Sequence, residues 1–217
     1  MKYLVIDIET GPQSDADVMR FAPEFSAPSN YKDEAKIEAY IIDARRKWAE
    51  SAALDPITGR ILAVGVESNE HPCDIMHIDQ FNGGERELVE RTINSIDHCL
   101  VSGACVIGFN IRHFDFPYLK RRAYILGVRV PIMFDESTRD RFNRNVVDLQ
   151  ELWLAGDRDY KGQSLNNICR ACGLGQKSGE GSEFATLYAH NRDKAISYLA
   201  NDIALTTALA RRMGAIQ

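Results

Sequence analysis

Four acids and one tyrosine in this chain stand at spacings that imply metal chemistry. Asp7 and Glu9 lie two residues apart in MKYLVIDIETGP. Alternate residues on a strand leave the same face, so both carboxylates point one way. Two carboxylates a few ångströms apart raise one another's pKa unless something positive sits between them. Asp115 follows an apolar run in GFNIRHFDFPYL, where the chain turns into a helix; a carboxylate there also suits a helix N-terminus without any further role. Tyr198 and Asp202, in SYLANDIALT, are four apart and share one helix face. Leu199, Ile203 and Ala210 mark the apolar stripe beside them, which puts the pair at the margin of the core. Four hard oxygen donors suit Mg²⁺ or Mn²⁺ rather than zinc. Two such ions, about 3.5 to 4 Å apart, would cancel the repulsion, activate a water on one side of a phosphodiester and steady the leaving oxygen on the other. A phenol of pKa about 10 is a poor base at neutral pH, so the role expected of Tyr198 is to aim the water.

The same residues fall into three ordered motifs: DIET at Asp7 to Thr10, NIRHFD at Asn110 to Asp115, and YLAND at Tyr198 to Asp202. These resemble the three exonuclease motifs of the DEDD, or DnaQ-like, superfamily of 3′ to 5′ exonucleases. The tyrosine matches the DEDDy subclass, which includes the proofreading exonuclease domains of family B DNA polymerases; the other subclass carries a histidine five residues before the last Asp, where this chain has Ser197. The resemblance implies an RNase H-like fold, two divalent metal ions (Mg²⁺ or Mn²⁺) held by Asp7, Glu9, Asp115 and Asp202, and release of nucleoside 5′-monophosphates from a free 3′ end. By the same motif match Thr10 and Asn110 contact the terminal nucleotide and Phe114 lies beside it. The expected substrate is single-stranded DNA or a frayed 3′ end. An exoribonuclease acting on RNA is the near alternative, and a non-catalytic module that binds nucleic-acid ends is the alternative from another class. A chain of 217 residues has no room for a polymerase, so the expectation is a free-standing nuclease or a subunit working with a replication or repair partner.

The elements that must position these residues read as α/β. Tyr3 to Ile8, GRILAVGVES, CDIMHIDQF and ACVIGFN read as strands, and VVDLQELWL as a fifth strand running into a helix. GGERELVERTINSIDHCL, the segment from near Pro117 to Gly127, SLNNICRACGLG, and Arg192 to Met213 read as helices. The pattern predicts a mixed central sheet of about five strands flanked by helices, in one domain over residues 1–217. A helical insertion at roughly 13–55 breaks the rhythm, with Ile37, Tyr40, Ile41, Ala44 and Trp48 at helical spacing. It begins at the end of the strand carrying Asp7 and Glu9, so it is expected either to form a solvated face or to limit which 3′ ends enter.

Composition is that of an ordinary folded chain: 45% hydrophobic, 26% charged, net charge −5. That balance argues against a general nucleic-acid coat protein, whose affinity comes from Lys and Arg neutralising phosphates. No run approaches the roughly 20 apolar residues of a membrane helix, and acids stand where a signal peptide would keep its apolar core; a cytoplasmic location is expected. The five cysteines are expected to be reduced, and CRAC (Cys169 to Cys172), lacking a second pair, reads as two ordinary thiols. Two basic clusters, Lys120 to Arg122 and Arg139 to Asn145 with Phe142 inside it, could grip a nucleic-acid backbone or stand as solvated charge.

Overall fold

The computed structural model describes residues 2–157, 162–179 and 181–216. In chain order the elements are β1 (Tyr3–Pro12), α1 (Asp15–Arg20), α2 (Glu34–Ser51), β2 (Gly59–Ser68), β3 (Asp74–His77), α3 (Gly84–Val101), β4 (Cys105–Gly108), α4 (Asp115–Leu126), α5 (Ile132–Arg139), β5 (Val146–Asp148), α6 (Leu149–Leu154), α7 (Leu165–Ala171), α8 (Phe184–His190) and α9 (Arg192–Arg212). The sheet runs β3-β2-β1-β4-β5. β2 and β3 pair antiparallel, whereas β1 with β4 and β4 with β5 pair parallel. This is the mixed five-stranded α/β sheet that the sequence pattern predicts.

The division of β1 between two faces explains what its residues do. Leu4, Ile6 and Ile8 pack with Leu88, Val89, Ile93 and Ile96 of α3 and Phe116 and Leu119 of α4. Tyr3 and Val5 face the other way, into a cluster with Ile168 of α7 and Ile203, Leu205 and Leu209 of α9. Asp7 and Glu9 continue the row of Tyr3 and Val5, because side chains alternate along a strand. The acids are thus aimed at the face on which α9 lies. At Gly65 of β2 an added Cβ would stand 2.6 Å from Ile203 Cγ1, so the missing side chain is what lets α9 settle this close to the sheet.

Residues Met1–Glu9 with Ile61–Gln217 form one compact unit and Thr10–Arg60 a second. In the second unit α1 is capped by Ser14, whose hydroxyl accepts from the Asp17 amide, and α2 by Asp33, whose carboxylate accepts from Ala35 and Lys36. The helix predicted from Ile37 to Trp48 is α2; its apolar stripe meets Phe25 through Trp48 and Tyr31 through Tyr40, both edge-on.

Several boundaries differ from the sequence reading. The strand expected through Phe81 stops at His77 and gives way to a 3₁₀ turn. α4 starts at Asp115 rather than near Pro117, since proline needs no amide partner in a first turn. Helices α5 and α8, of eight and seven residues, have no counterpart in the sequence reading. No helix among the described residues is long and apolar enough to cross a membrane. All five cysteines are free thiols, and the buried Cys169 thiol points at the Leu205 carbonyl.

Candidate active site

β1 and α9 bring three of the four expected metal ligands together. One carboxylate oxygen from each of Asp7, Glu9 and Asp202 lies within 4.8 Å of the others. Asp202 is fully buried and Glu9 nearly so, deeper than the core margin that the helical spacing implied. Tyr198, one turn before Asp202, is also buried, its ring against Phe184 of α8 and within 3.3 Å of where a Cβ on residue 179 would stand.

Asp115 stands apart from that trio. It opens α4 and is buried, and its Oδ1 accepts the backbone N–H of Ile8, the residue between Asp7 and Glu9, at 3.0 Å. The sequence reading counts Asp115 among the four metal ligands, and the fold sets it beside the trio rather than within it. One oxygen of Asp115 ties α4 to β1, and its charge acts on Asp7 from beside the cluster.

The turn that leads to Asp115 is held by a residue that the sequence did not single out. Asp148, at the end of β5 and buried, accepts the amides of Asn110 at 2.9 Å and Arg112 at 3.1 Å. Asn110 adopts φ +62°, a left-handed conformation that asparagine tolerates better than most residues. Phe114 is the residue immediately before α4, tilted against Tyr118. Thr10 follows Glu9 in β1 and belongs to the second unit.

A family model described as "Predicted 3'-5' exonuclease related to the exonuclease domain of PolB" matches residues 55–216. The chain belongs to this family. The matched span encloses Asp115, Tyr198 and Asp202, while Asp7 and Glu9 precede it. No curated protein matches the chain. Among solved structures, the family B DNA polymerase from the hyperthermophilic archaeon Pyrobaculum calidifontis aligns with a TM-score of 0.60 at 16% identity, over 98% of this chain and 24% of the polymerase. The chain thus spans about a quarter of the length of that polymerase. At this identity the likeness speaks for the fold alone, an RNase H-like α/β sheet.

This acidic cluster is electrostatically costly without cations. Burial, then Asp202, pushes the Asp7 carboxyl up to about 7, against the pull of Lys177 and the Ile8 amide. Burial and then Asp7 hold Glu9 well above the usual carboxylate range. Burial and then Asp7 do the same to Asp115. One cation answers part of this charge. The Lys177 ammonium sits 2.5 Å from Asp202 Oδ2 and 5.2 Å from the centre of the Tyr198 ring. Burial alone would discharge this amine, but Asp202 outweighs it and keeps the amine above the ordinary lysine range. Burial raises the Tyr198 phenol as well. No hydrogen bond of good geometry satisfies its buried hydroxyl among the described residues.

Lys177, like Asp148, is a residue that the sequence does not single out. It lies in a loop between α7 and α8 where no periodicity marks it, and nothing in GLGQKSGEG points toward α9. The basic run Lys120 to Arg122 goes the other way. Lys120 pairs with Asp135 at 2.7 Å, and Arg122 is buried against Glu85 at 2.6 Å. Two of those three cations brace α4, which leaves only Arg121 of the run exposed. His113 is exposed, 3.5 Å from Glu151.

Proposed function

We propose that this chain is a metal-dependent 3′ to 5′ exonuclease that removes nucleoside 5′-monophosphates from single-stranded DNA or frayed 3′ ends. The observation that carries the reading is the meeting of Asp7, Glu9 and Asp202 within 4.8 Å on the α9 face of the sheet. The donor set fits a hard divalent ion: all ligands are carboxylate oxygens, and burial together with the like charge of their neighbours raises their proton affinities. Asp7, Glu9 and Asp202 would hold one Mg²⁺ or Mn²⁺, and Asp7 with Asp115 would help hold a second. Bound there, such ions supply Lewis acidity for hydrolysis of a phosphodiester.

The remaining work belongs to the chain's own groups. Asp115 fixes the β1 backbone between the two acids through the Ile8 amide, which keeps their carboxylates on one side. Tyr198, whose phenol stays protonated at neutral pH, offers its hydroxyl to the attacking water and orients it. Asn110 and Phe114, on the turn held by Asp148, and Thr10, next along β1, contact the terminal nucleotide. Lys177 serves as counter-charge to Asp202 whenever metal is absent. Residues 1–217 act in this proposal as a single exonuclease domain, the helical segment at roughly 13–55 included.

Oligonucleotides labelled at the 3′ or the 5′ end, as DNA and as RNA, test the proposal in Mg²⁺, Mn²⁺ or chelator. A 5′ label that shortens one nucleotide at a time, with metal and on DNA in preference to RNA, is the expected result. Internal cuts, digestion from the 5′ end, or full activity in chelator would overturn it. Faster digestion of RNA would move the substrate to the ribonuclease reading.

A further inference from the structure

The second basic cluster survives the comparison that removed the first. Phe142 is 88% exposed, a large aromatic side chain left in water in the middle of Arg139 to Arg144. Its loop is stiffly built. The Phe142 amide donates to Asp140 Oδ1 at 2.8 Å and the Asn145 amide to Asn143 Oδ1 at 2.9 Å. The Asn143 and Val146 amides close two successive turns onto the Asp140 and Asn143 carbonyls.

The loop is also bolted to the turn that delivers Asp115. The Arg112 guanidinium donates to the carbonyls of Asp140, Asn143 and Val146 at 3.2, 2.8 and 2.6 Å, and the Arg112 amide is held by Asp148. Arg112 stands three residues before Asp115, so the loop and the catalytic turn share one brace. Glu151 gathers Arg112, His113 and Arg141 at 3.4, 3.5 and 3.7 Å, around a recess of about 170 Å³ that Ser137 and Arg139 also line. Arg141 is two-thirds exposed, and Arg144 is exposed with no ion pair among the described residues. This is positive charge on a protein of net charge −5, fixed in place and centred on an unburied ring.

We propose that Phe142 is a stacking platform for an unpaired base of the substrate strand, with Arg141 and Arg144 contacting the flanking phosphates. The inference rests on the exonuclease reading and names what it leaves open, the feature that holds the strand upstream of the scissile bond. A base has an apolar π-face and a phosphodiester a negative charge, and the loop offers one partner for each. A duplex keeps its bases stacked on each other and cannot use the ring, so the occupant is single-stranded nucleic acid.

The experiment compares the whole chain with Phe142→Ala, Phe142→Trp and Arg141→Ala/Arg144→Ala. Fluorescence anisotropy of a labelled 12-nucleotide strand, DNA and RNA in separate arms, is measured in chelator over a range of KCl. Hydrolysis of the p-nitrophenyl ester of a nucleoside 5′-monophosphate, which cannot reach past the terminal subsite, is measured with Mn²⁺. Phe142→Ala should weaken strand binding about 5- to 150-fold, Phe142→Trp should restore it, and the double arginine variant should reduce the slope of log affinity against log salt by about 1.4. Hydrolysis of the small ester and the melting temperature should not change in any variant. Strand affinity that is unchanged in Phe142→Ala, or that falls equally for blunt duplex, would overturn the platform while leaving the nuclease intact. A wild-type chain that hydrolyses neither strand nor ester would instead overturn the exonuclease reading beneath it.

Discussion

Replacing Asp7 by Asn should make the metal-free protein more stable, and the structure says by how much. The folded chain keeps the proton on Asp7 up to about pH 7, whereas an ordinary aspartate in the unfolded chain releases it near 3.8. Between those values the folded state binds more protons, so wild-type stability falls as the pH climbs through that window. At about 1.4 kcal/mol for each tenfold change in proton affinity, ionising Asp7 at pH 8 costs the folded chain about 4 kcal/mol. Asn has the same shape and no charge, so the variant escapes this cost at pH 8 and gains less than about 1 kcal/mol near pH 4, where Asp7 is protonated in the folded chain and only about half ionised in the unfolded one. For a chain of this size the gain corresponds to about 8 to 16 °C in melting temperature. Scanning fluorimetry of both proteins in chelator from pH 4 to pH 8 measures it. Adding Mn²⁺ should then raise the wild type at pH 8 and leave Asp7→Asn nearly unmoved, because binding to the folded state alone is stabilising. An Asp7→Asn protein that melts at or below wild type at pH 8 in chelator would refute the claim that uncompensated like charge is stored here.

Three other perturbations probe the same arrangement. Lys177→Ala leaves Asp202 buried without its cation, and should lower metal-free stability by about 2 kcal/mol, less than for a fully buried pair because Lys177 keeps about a fifth of its side chain in water; denaturant unfolding reads the loss, and Mn²⁺ should recover most of it. Tyr198→Phe keeps the ring packing against Phe184 and removes the hydroxyl, so the rate on single-stranded DNA should drop about 10- to 100-fold with little change in melting temperature; a loss as complete as that of Asp7→Ala would mean that the phenol does more than orient water. Gly65→Ala puts a Cβ 2.6 Å from Ile203 Cγ1, which should cost about 1 to 3 kcal/mol and reduce nuclease activity as well, since Asp202 precedes Ile203 on the displaced helix.

How much of this was legible in the sequence depends on the range over which the signal acts. Strand parity is local, so the common face of Asp7 and Glu9 followed from two-residue spacing, and helical spacing likewise put Tyr198 with Asp202. The five-stranded α/β sheet followed from apolar runs broken by turn residues. Pairings between distant segments were not legible. Lys177 meets Asp202 across the fold, Asp148 reaches back to Asn110 and Arg112, and neither has a local pattern to announce it. The same blindness made Lys120 and Arg122 resemble a surface grip when their acidic partners, Asp135 and Glu85, were waiting on α5 and α3. Asp115 reads as a metal ligand from its type and position; that one of its oxygens also accepts the Ile8 amide is a fact of tertiary geometry.

The central claim is that Asp7, Glu9 and Asp202 exist as a cluster in order to hold divalent metal. Crystals soaked in Mn²⁺ and measured at the manganese absorption edge test it most directly. The account predicts an anomalous peak bounded by those three carboxylates, with a second beside Asp7 and Asp115. Soaked crystals with no peak among these side chains, or with manganese bound only elsewhere on the chain, would contradict it.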